Sequence, residues 1–149
     1  MISLLVAYTK NKRVIGAQGK IPWKLSSERN RFKQICNGKY VIMGRKSFEE
    51  IGKPLPYCKL VVVSKSSQSL DEAINFCKSQ NQEEILIAGG GSIYQQALPY
   101  ADKIYATEIE ADFPGDTFFP ELGPEWHGTV DETHEENGIV YKYLAFTKK

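Results

Sequence analysis

Apolar and polar residues alternate along the chain in blocks whose lengths fit strands and helices in turn. Residues 2–8 are almost continuously apolar, which predicts a strand buried on both faces. We expect further strands at residues 40–43, 59–64, 85–88 and 103–108, and helices at about 26–36, 45–51, 70–79 and 92–98. Residues 9–22 are polar and contain glycine, which predicts a long loop.

The C-terminal part has a different pattern. Residues 125–135 and 139–147 flank Asn137-Gly138, a two-residue signal for a β-hairpin. Strand–helix units followed by an antiparallel hairpin predict an α/β fold of three layers, with a mostly parallel central sheet and antiparallel strands at one edge. The length of 149 residues fits a single domain over residues 1–149.

Charge and cysteine content narrow the functional classes. The net charge is +1 and the cations are interleaved with Glu, so we do not expect nucleic-acid binding. Cys36, Cys58 and Cys77 are odd in number and form no C-x-x-C, which predicts neither a disulfide framework nor a metal site. The apolar start is too short for a membrane span and lacks the basic residues of a signal peptide, so together with the unpaired cysteines it predicts a cytoplasmic protein. We also expect a monomer.

Glu28 interrupts the apolar stripe of the first predicted helix. Leu25, Phe32 and Ile35 recur at helical spacing, and Glu28 lies on the same stripe. Such a side chain either reaches water from the rim or places a carboxyl group at the floor of a pocket. A buried carboxyl group suits acid–base chemistry near neutral pH. Its two oxygens can also accept parallel N–H bonds from the edge of a heterocycle.

Three strand ends carry groups that favour anions. Gly89-Gly90-Gly91 joins a strand to a helix, where free backbone N–H groups can bind phosphate, although a tight turn would use the same residues. Arg45 follows Gly44 at the start of another helix, where a cation opposes the helix dipole unless an anion is bound. Ser64-Lys65 ends a third strand. Together these predict a ligand with several phosphates at the strand ends.

Seven short motifs run in order along the chain. They are residues 1–7, Arg13-Val14-Ile15-Gly16, Ile21-Pro22-Trp23, Val41-Ile42-Met43-Gly44-Arg45, and residues 51–56, 89–94 and 115–120. In this order and at this spacing they resemble bacterial dihydrofolate reductase over nearly the whole chain. The resemblance implies that fold, and the reduction of 7,8-dihydrofolate to tetrahydrofolate by hydride transfer from NADPH to C6, with protonation at N5.

The resemblance also implies catalytic and substrate-binding residues. Glu28 would bind the amino and N3 edge of the pterin, and Thr107 would support that carboxylate from a neighbouring strand. Trp23 would close a mobile loop over the site and help to order a water molecule. The substrate pocket would comprise Leu5, Val6, Ala7, Arg29, Phe32, Ile51, Leu55 and Tyr94.

The implied cofactor is NADPH. Arg45, Ser64 and Lys65 would hold its adenosine 2′-phosphate, and a cis peptide bond would join Gly89 to Gly90. We expect no carboxylate near these cations, so NADPH should be preferred over NADH. The full cofactor set would be Ala7, Ile15, Gly44, Arg45, Lys46, Ser47, Ser64, Lys65, Gly89, Gly90, Gly91, Ser92 and Ile93.

The chain departs from the family pattern in three places. Cys58 stands where the family has the arginine that binds the glutamate tail of the substrate, Arg29 stands where an apolar residue is common, and the stretch between Lys65 and Leu70 is short. Cys58 leaves open a reductase of the same fold acting on another pterin or a pyrimidine without that tail. A non-catalytic NADPH-binding or structural protein is the alternative from another class, and the intact Glu28 argues against it.

Overall fold

Short strands and helices follow one another along the chain, as the sequence pattern predicts. A computed structural model of the protein describes residues 1–16, 26–51, 56–64 and 69–148. In these ranges the strands are β1 (Ile2–Thr9), β2 (Val14–Gly16), β3 (Tyr40–Gly44), β4 (Lys59–Val63), β5 (Ile85–Ile87), β6 (Lys103–Ile109), β7 (Thr117–Phe118), β8 (Trp126–Glu136) and β9 (Ile139–Lys148). The helices are α1 (Ser26–Cys36), α2 (Arg45–Ile51), α3 (Leu70–Ser79) and α4 (Gly91–Ala97), followed by a 3-10 turn at Leu98–Tyr100.

The main sheet has the strand order β4-β3-β5-β1-β6-β9-β8. The pairs β3–β4, β3–β5, β1–β5 and β1–β6 are parallel, whereas β6–β9 and β8–β9 are antiparallel. The predicted parallel sheet with an antiparallel C-terminal edge is therefore confirmed.

The helices cover both faces of this sheet. On one face Leu4 and Val6 of β1 pack in a cluster that includes Ile74 of α3 and Ile93 of α4. On the other face Leu5 packs in a second cluster with Cys36 of α1. Because successive strand residues point to opposite faces, β1 needs apolar residues throughout, and the continuous apolar run at its start reflects this burial. The expected three layers are confirmed.

Local sequence signals fix the helix ends. Ser69 Oγ accepts a hydrogen bond from the Glu72 backbone N–H at 3.2 Å, so Ser69 caps the start of α3. Ala73 and Cys77 lie on its buried side, four residues apart. The helices predicted at residues 45–51 and 70–79 have these bounds in the structure. None of the helices in the described ranges has the length and apolarity that crossing a bilayer would require.

The region predicted as a loop at residues 9–22 contains a strand, which corrects that prediction. The Val14 N–H donates to Thr9 Oγ1 at 2.9 Å and the Arg13 N–H donates to Thr9 O at 2.8 Å, so the chain turns back on itself. β2 then pairs antiparallel with β7, with Val14 opposite Phe118. Strands of two and three residues are too short to produce a readable alternation.

The predicted hairpin is confirmed. Asn137 has φ 54° and Gly138 has φ 78°, which is the pair of positive values that a type I′ turn requires. Glycine adopts this conformation without a steric penalty, so Asn137-Gly138 sets the register of β8 against β9. Glu136 accordingly lies opposite Ile139.

Candidate active site at the carboxyl ends of the strands

Parallel pairing brings several predicted site residues to one edge of the sheet. Gly44 at the end of β3 lies opposite Val63 at the end of β4, so Arg45 and Ser64 leave adjacent strands side by side. The Gly44 N–H donates to Gly89 O at 2.8 Å, which places the residues after β5 against the end of β3. In open α/β sheets, ligands bind at this edge.

The glycines at this edge are needed because other groups approach them closely. The peptide bond between Gly89 and Gly90 is cis, as the resemblance implied. A β-carbon on Gly90 would stand 3.0 Å from Ser47 Oγ, and one on Gly91 would stand 2.8 Å from Thr117 Cγ2. A side chain at Gly91 would force the side chain of Thr117 on β7 to move, so packing favours glycine at this position.

The start of α4 offers backbone donors. Among the described residues no side chain caps the helix at Gly90. The N–H groups of the first turn, at Gly91, Ser92 and Ile93, have no acceptor inside the helix and can face an anion. Since α4 has seven residues, these local donors matter more than the dipole of the whole helix. Ile15 flanks the same turn, with Cδ1 3.7 Å from the position of a β-carbon on Gly91.

The first turn of α2 is cationic, but a carboxylate lies close to it. Arg45 and Lys46 are exposed, and the first turn of α2 holds no acidic residue. Arg45 Nε, however, lies 3.1 Å from Glu49 Oε1 one turn along the helix. The expectation that no carboxylate would stand near these cations is therefore wrong, because helical spacing at i,i+4 brings Glu49 beside Arg45.

Tyr94 holds the backbone of β1. Its hydroxyl donates to Leu5 O at 2.6 Å in a buried position, and its ring meets Phe119 edge-on with centroids 5.2 Å apart. The Val6 side chain is buried in the cluster on the α3–α4 face, so only its backbone can serve the opposite face. Tyr94 thus fixes the strand that carries Ala7 to the carboxyl edge.

Thr107 lies in a row of four paired residues that crosses the sheet. Ala7 on β1 pairs with Thr107 on β6, Thr107 with Tyr143 on β9, and Tyr143 with Glu132 on β8. Residues directly opposite one another point to the same face. Thr107 is buried, and the Arg31 guanidinium of α1 lies over the Tyr143 ring with Cζ 3.9 Å from the centroid. The row therefore faces α1.

Helix α1 packs against this face of the sheet through Phe32. Phe32 packs against the cluster that contains Leu5, as expected. Glu28 lies one turn before Phe32 in the same helix. Some predicted residues have no described side chain, namely Glu28, Arg29 and Ile51, and others lie outside the described ranges, namely Trp23, Leu55 and Lys65. Their roles stay predictions.

Sequence reasoning missed a polar cluster at the opposite, amino edge. Glu84 accepts hydrogen bonds from Lys39 Nζ at 2.6 Å, Ser3 Oγ at 2.7 Å and the Tyr105 hydroxyl at 2.8 Å. Burial alone would raise the pKa of Glu84, but these donors outweigh it and hold that pKa below its ordinary value. The polar Ser3 inside an apolar strand was the available signal.

The three cysteines are free. Burial raises the pKa of Cys36 to about 12 and that of Cys77 to about 11, and it also raises the pKa of the half-buried Cys58. Thiols of this kind are largely protonated at neutral pH and react slowly. In the described part of the chain, no group of three or more His, Cys, Asp or Glu side chains is placed to hold a metal ion.

The chain is similar to proteins of one family over nearly its whole length. The sequence model of the family described as dihydrofolate reductase matches residues 1–148. The dihydrofolate reductase of Haemophilus influenzae is 41% identical over 160 aligned residues, covering 99% of this chain and 98% of that protein. Dihydrofolate reductase type 3 from Salmonella typhimurium is 37% identical, covering 100% and 99% of the two chains. The dihydrofolate reductase of Bacillus subtilis is also 37% identical, covering 100% of this chain and 95% of that protein.

Proposed function

The chain belongs to the dihydrofolate reductase family, and from this premise we propose that it reduces 7,8-dihydrofolate to tetrahydrofolate with NADPH. The hydride goes to C6 of the pterin and a proton goes to N5. The observation that carries the proposal is the carboxyl edge of the sheet, where the ends of β4, β3, β5, β1 and β6 meet. Glycines, uncapped N–H groups and a cation lie there together, as a dinucleotide requires.

The residues at this edge fit NADPH. The uncapped N–H groups at the start of α4 suit a phosphate, and the glycines before them leave room for it. Arg45 and Ser64, at the ends of adjacent strands, supply a cation and a hydroxyl for the adenosine phosphate. When bound, the cofactor supplies the hydride. The protein orients the nicotinamide against the substrate.

In this proposal Glu28 orients the pterin and raises its proton affinity. A carboxylate on the inner side of α1 accepts two N–H bonds from the amino and N3 edge, which fixes the ring in one orientation. Its negative charge favours the positive charge that develops at N5 on protonation. Thr107 supports the carboxylate from β6, Phe32 and Leu5 provide the apolar wall, and Trp23 helps to order the water that delivers the proton.

A turnover assay tests the proposal directly. Purified protein is mixed with NADPH and 7,8-dihydrofolate, and the loss of NADPH absorbance is followed at several substrate concentrations. Turnover that saturates with dihydrofolate supports the proposed reaction. NADPH oxidation with a pterin that lacks the glutamate tail, but not with dihydrofolate, would support the related reductase instead. NADPH binding without turnover on either substrate would indicate a non-catalytic protein.

Cys58 is the observation that favours the related reductase. A thiol cannot donate the two parallel N–H bonds with which an arginine holds a carboxylate. Cys58 is half-buried in the apolar cluster below α1, beside Tyr57. A cation does stand nearby, since Lys33 Nζ lies 5.8 Å from the centre of the Tyr57 ring. Lysine carries one ammonium group and cannot donate two parallel N–H bonds as an arginine does, so binding of the glutamate tail should be weak.

Substitutions at Cys58, Arg29 and Lys33 test which residue binds the glutamate tail of the substrate. If no residue replaces the missing arginine, Cys58→Arg should lower KM for dihydrofolate roughly ten- to hundred-fold, the value of one charge-assisted interaction. If Arg29 replaces it, Arg29→Ala should raise KM, and Lys33→Ala serves as the matched change one turn further along α1. Should KM respond to none of the three, a substrate without the tail becomes the better proposal.

We further propose that residues 1–149 form one domain that acts as a monomer in the cytoplasm. The edge strand β8 supports this proposal, because its exposed residues include Asp131, Glu132 and Glu135. A charged edge opposes pairing with the sheet of a second molecule. Light scattering coupled to gel filtration should give the mass of one chain, and a concentration-dependent dimer would contradict the proposal.

A further inference from the structure

Arg31 is a largely buried cation that is incompletely paired. Its side chain is 17% exposed, and NH1 lies 3.9 Å from Glu132 Oε2, which is a long ion pair. Its Nε atom is buried and has no hydrogen-bond partner among the described residues. The guanidinium lies over Tyr143, with Cζ 3.9 Å from the ring centroid. A methionine could pack on the same ring without the cost of removing a charge from water.

The position of Arg31 connects it to the proposed catalytic centre. Tyr143 on β9 pairs directly with Thr107 on β6, so the ring that the guanidinium covers belongs to the strand next to Thr107 and to the same face of the sheet. On α1, Arg31 follows Glu28 by three residues, which puts the two positions on the same side of the helix. The charge of Arg31 is therefore close to the place where the substrate is to be protonated.

The charge also acts across the strands. Burial and the neighbouring carboxylate of Glu84 raise the pKa of Tyr105 to about 12, and the positive charge of Arg31 opposes that rise. Tyr105 is on β6, two residues from Thr107 and on the same face of the strand. The charge of Arg31 therefore acts on a side chain of β6, the strand that carries Thr107.

We propose that Arg31 is a positioning residue whose positive charge sets the pH at which turnover falls off. The inference rests on the proposed function, because it assumes protonation of a pterin bound at Glu28. A cation at this distance opposes protonation, so it lowers the pH above which the protonated species is lost. Removing the cation should extend activity to higher pH.

Other charged and titratable groups face Arg31 from each element packed near it. They are Glu132 and His134 on β8, Tyr141 and Tyr143 on β9, and Tyr105 on β6. On α1 itself, Glu28 precedes Arg31 by three residues. Glu132 matters most, because its carboxylate forms an ion pair with the guanidinium and offsets its charge. His134 Nε2 lies 3.4 Å from Glu132 Oε1, so the imidazole stands beside the carboxylate that pairs with Arg31.

Three variants test the proposal through the pH profile of kcat. Arg31→Met keeps the packing on Tyr143 and removes the charge, so the midpoint of the alkaline fall should rise by about 0.3 to 1 pH unit. Arg31→Lys keeps the charge and should stay close to the wild-type midpoint. Glu132→Gln removes the offsetting anion and should move the midpoint to lower pH, by less than the first change. Opposite shifts for opposite charges are not expected from a packing effect.

The proposal is overturned if Arg31→Met and Glu132→Gln leave the midpoint unchanged or move it in the same direction. If Arg31→Met does not fold, Glu132→Gln still decides, because the Glu132 side chain is 56% exposed and its loss should be tolerated. Failure of the proposed function would look different. In that case the wild type would not turn over dihydrofolate, or Glu28→Gln would keep the wild-type profile whatever stands at position 31.

Discussion

The polar groups at the two edges of the sheet differ in how far they are hydrogen-bonded inside the protein. At the amino edge, Glu84 receives three hydrogen bonds, and the Ile2 N–H donates to Asp102 Oδ2 at 2.8 Å. The terminal amino group also donates to Glu83 O at 2.8 Å. At the carboxyl edge, Gly90 starts a helix without a side-chain cap among the described residues, and Arg45 is exposed. The same strands thus end in a hydrogen-bonded network at the amino edge, whereas the carboxyl edge has the uncapped N–H groups of α4 and an exposed cation that pairs with Glu49.

This difference separates stability from ligand binding. Buried polar groups that are satisfied inside the protein stabilise the fold and leave nothing for a ligand. Donors without an internal acceptor make their bonds to water or to a bound molecule. Changes at the carboxyl edge should therefore alter turnover and cofactor affinity, whereas changes at the amino edge should alter stability.

The largest effect is expected at Glu28. Glu28→Gln should keep the fold and NADPH affinity but lower kcat at pH 7 by about 100-fold or more, since the group that assists protonation is lost. The defect should shrink at low pH, where solvent protonates the substrate more readily. Steady-state kinetics across pH and a fluorescence titration with NADPH measure both properties. Normal turnover at pH 7 would remove Glu28 from the mechanism.

A smaller effect is expected at Arg45. Arg45→Ala should weaken NADPH binding by about tenfold and NADH binding much less, because only NADPH carries the 2′-phosphate. Glu49→Gln is the matched control, since Glu49 pairs with Arg45 in the free protein. Releasing that pair should leave NADPH affinity unchanged or improve it. Equal losses for both cofactors in Arg45→Ala would contradict its assignment to the phosphate.

The amino edge should show the reverse behaviour. Glu84→Gln should lower the free energy of unfolding by about 1–3 kcal/mol while kcat and KM stay near the wild type, because a charged acceptor of three donors is lost far from the ligands. Denaturant unfolding at neutral pH gives the stability. A large loss of turnover in the folded variant would mean that the two edges are not separate.

The same carboxylate predicts a pH dependence of stability. The pKa of Glu84 is lower in the folded protein than the value of about 4.3 of an unfolded chain. Its contribution is therefore present above about pH 4.3 and is lost as the pH falls through the folded value. The stability difference between wild type and Glu84→Gln should be constant near neutral pH and should shrink in acid. A difference that grew in acid would contradict the assignment.

The sequence predicted the sheet well because burial leaves a direct pattern. The apolar run of β1 and the Asn137-Gly138 turn each follow from local chemistry, and both were found as expected. β2 was missed because three residues carry no period, and its pairing with β7 depends on residues about 100 positions away. The apolar stripe of the first helix predicted that Phe32 faces the core, and Phe32 packs against the cluster that contains Leu5.

Site residues could be predicted from the sequence where close packing of the backbone requires glycine. They were harder to predict where the role of a residue depends on contacts with distant strands. Gly90 and Gly91 were identified from the glycine run, and the close approaches of Ser47 and Thr117 explain them. Arg31 gave no signal, because its contacts come from β8 and β9. A single sequence does not reveal which distant side chains will share a row of the sheet.

Amide hydrogen exchange with and without NADPH tests the division between the edges most directly. We expect NADPH binding to slow amide exchange at the start of α4, at Gly91 to Ile93, and after β3 and β4, at Arg45 and Ser64. We expect no local slowing at Lys39 or Glu84 beyond the general stabilisation by the ligand. Protection concentrated at the amino edge, with exchange at the start of α4 unchanged, would contradict the account.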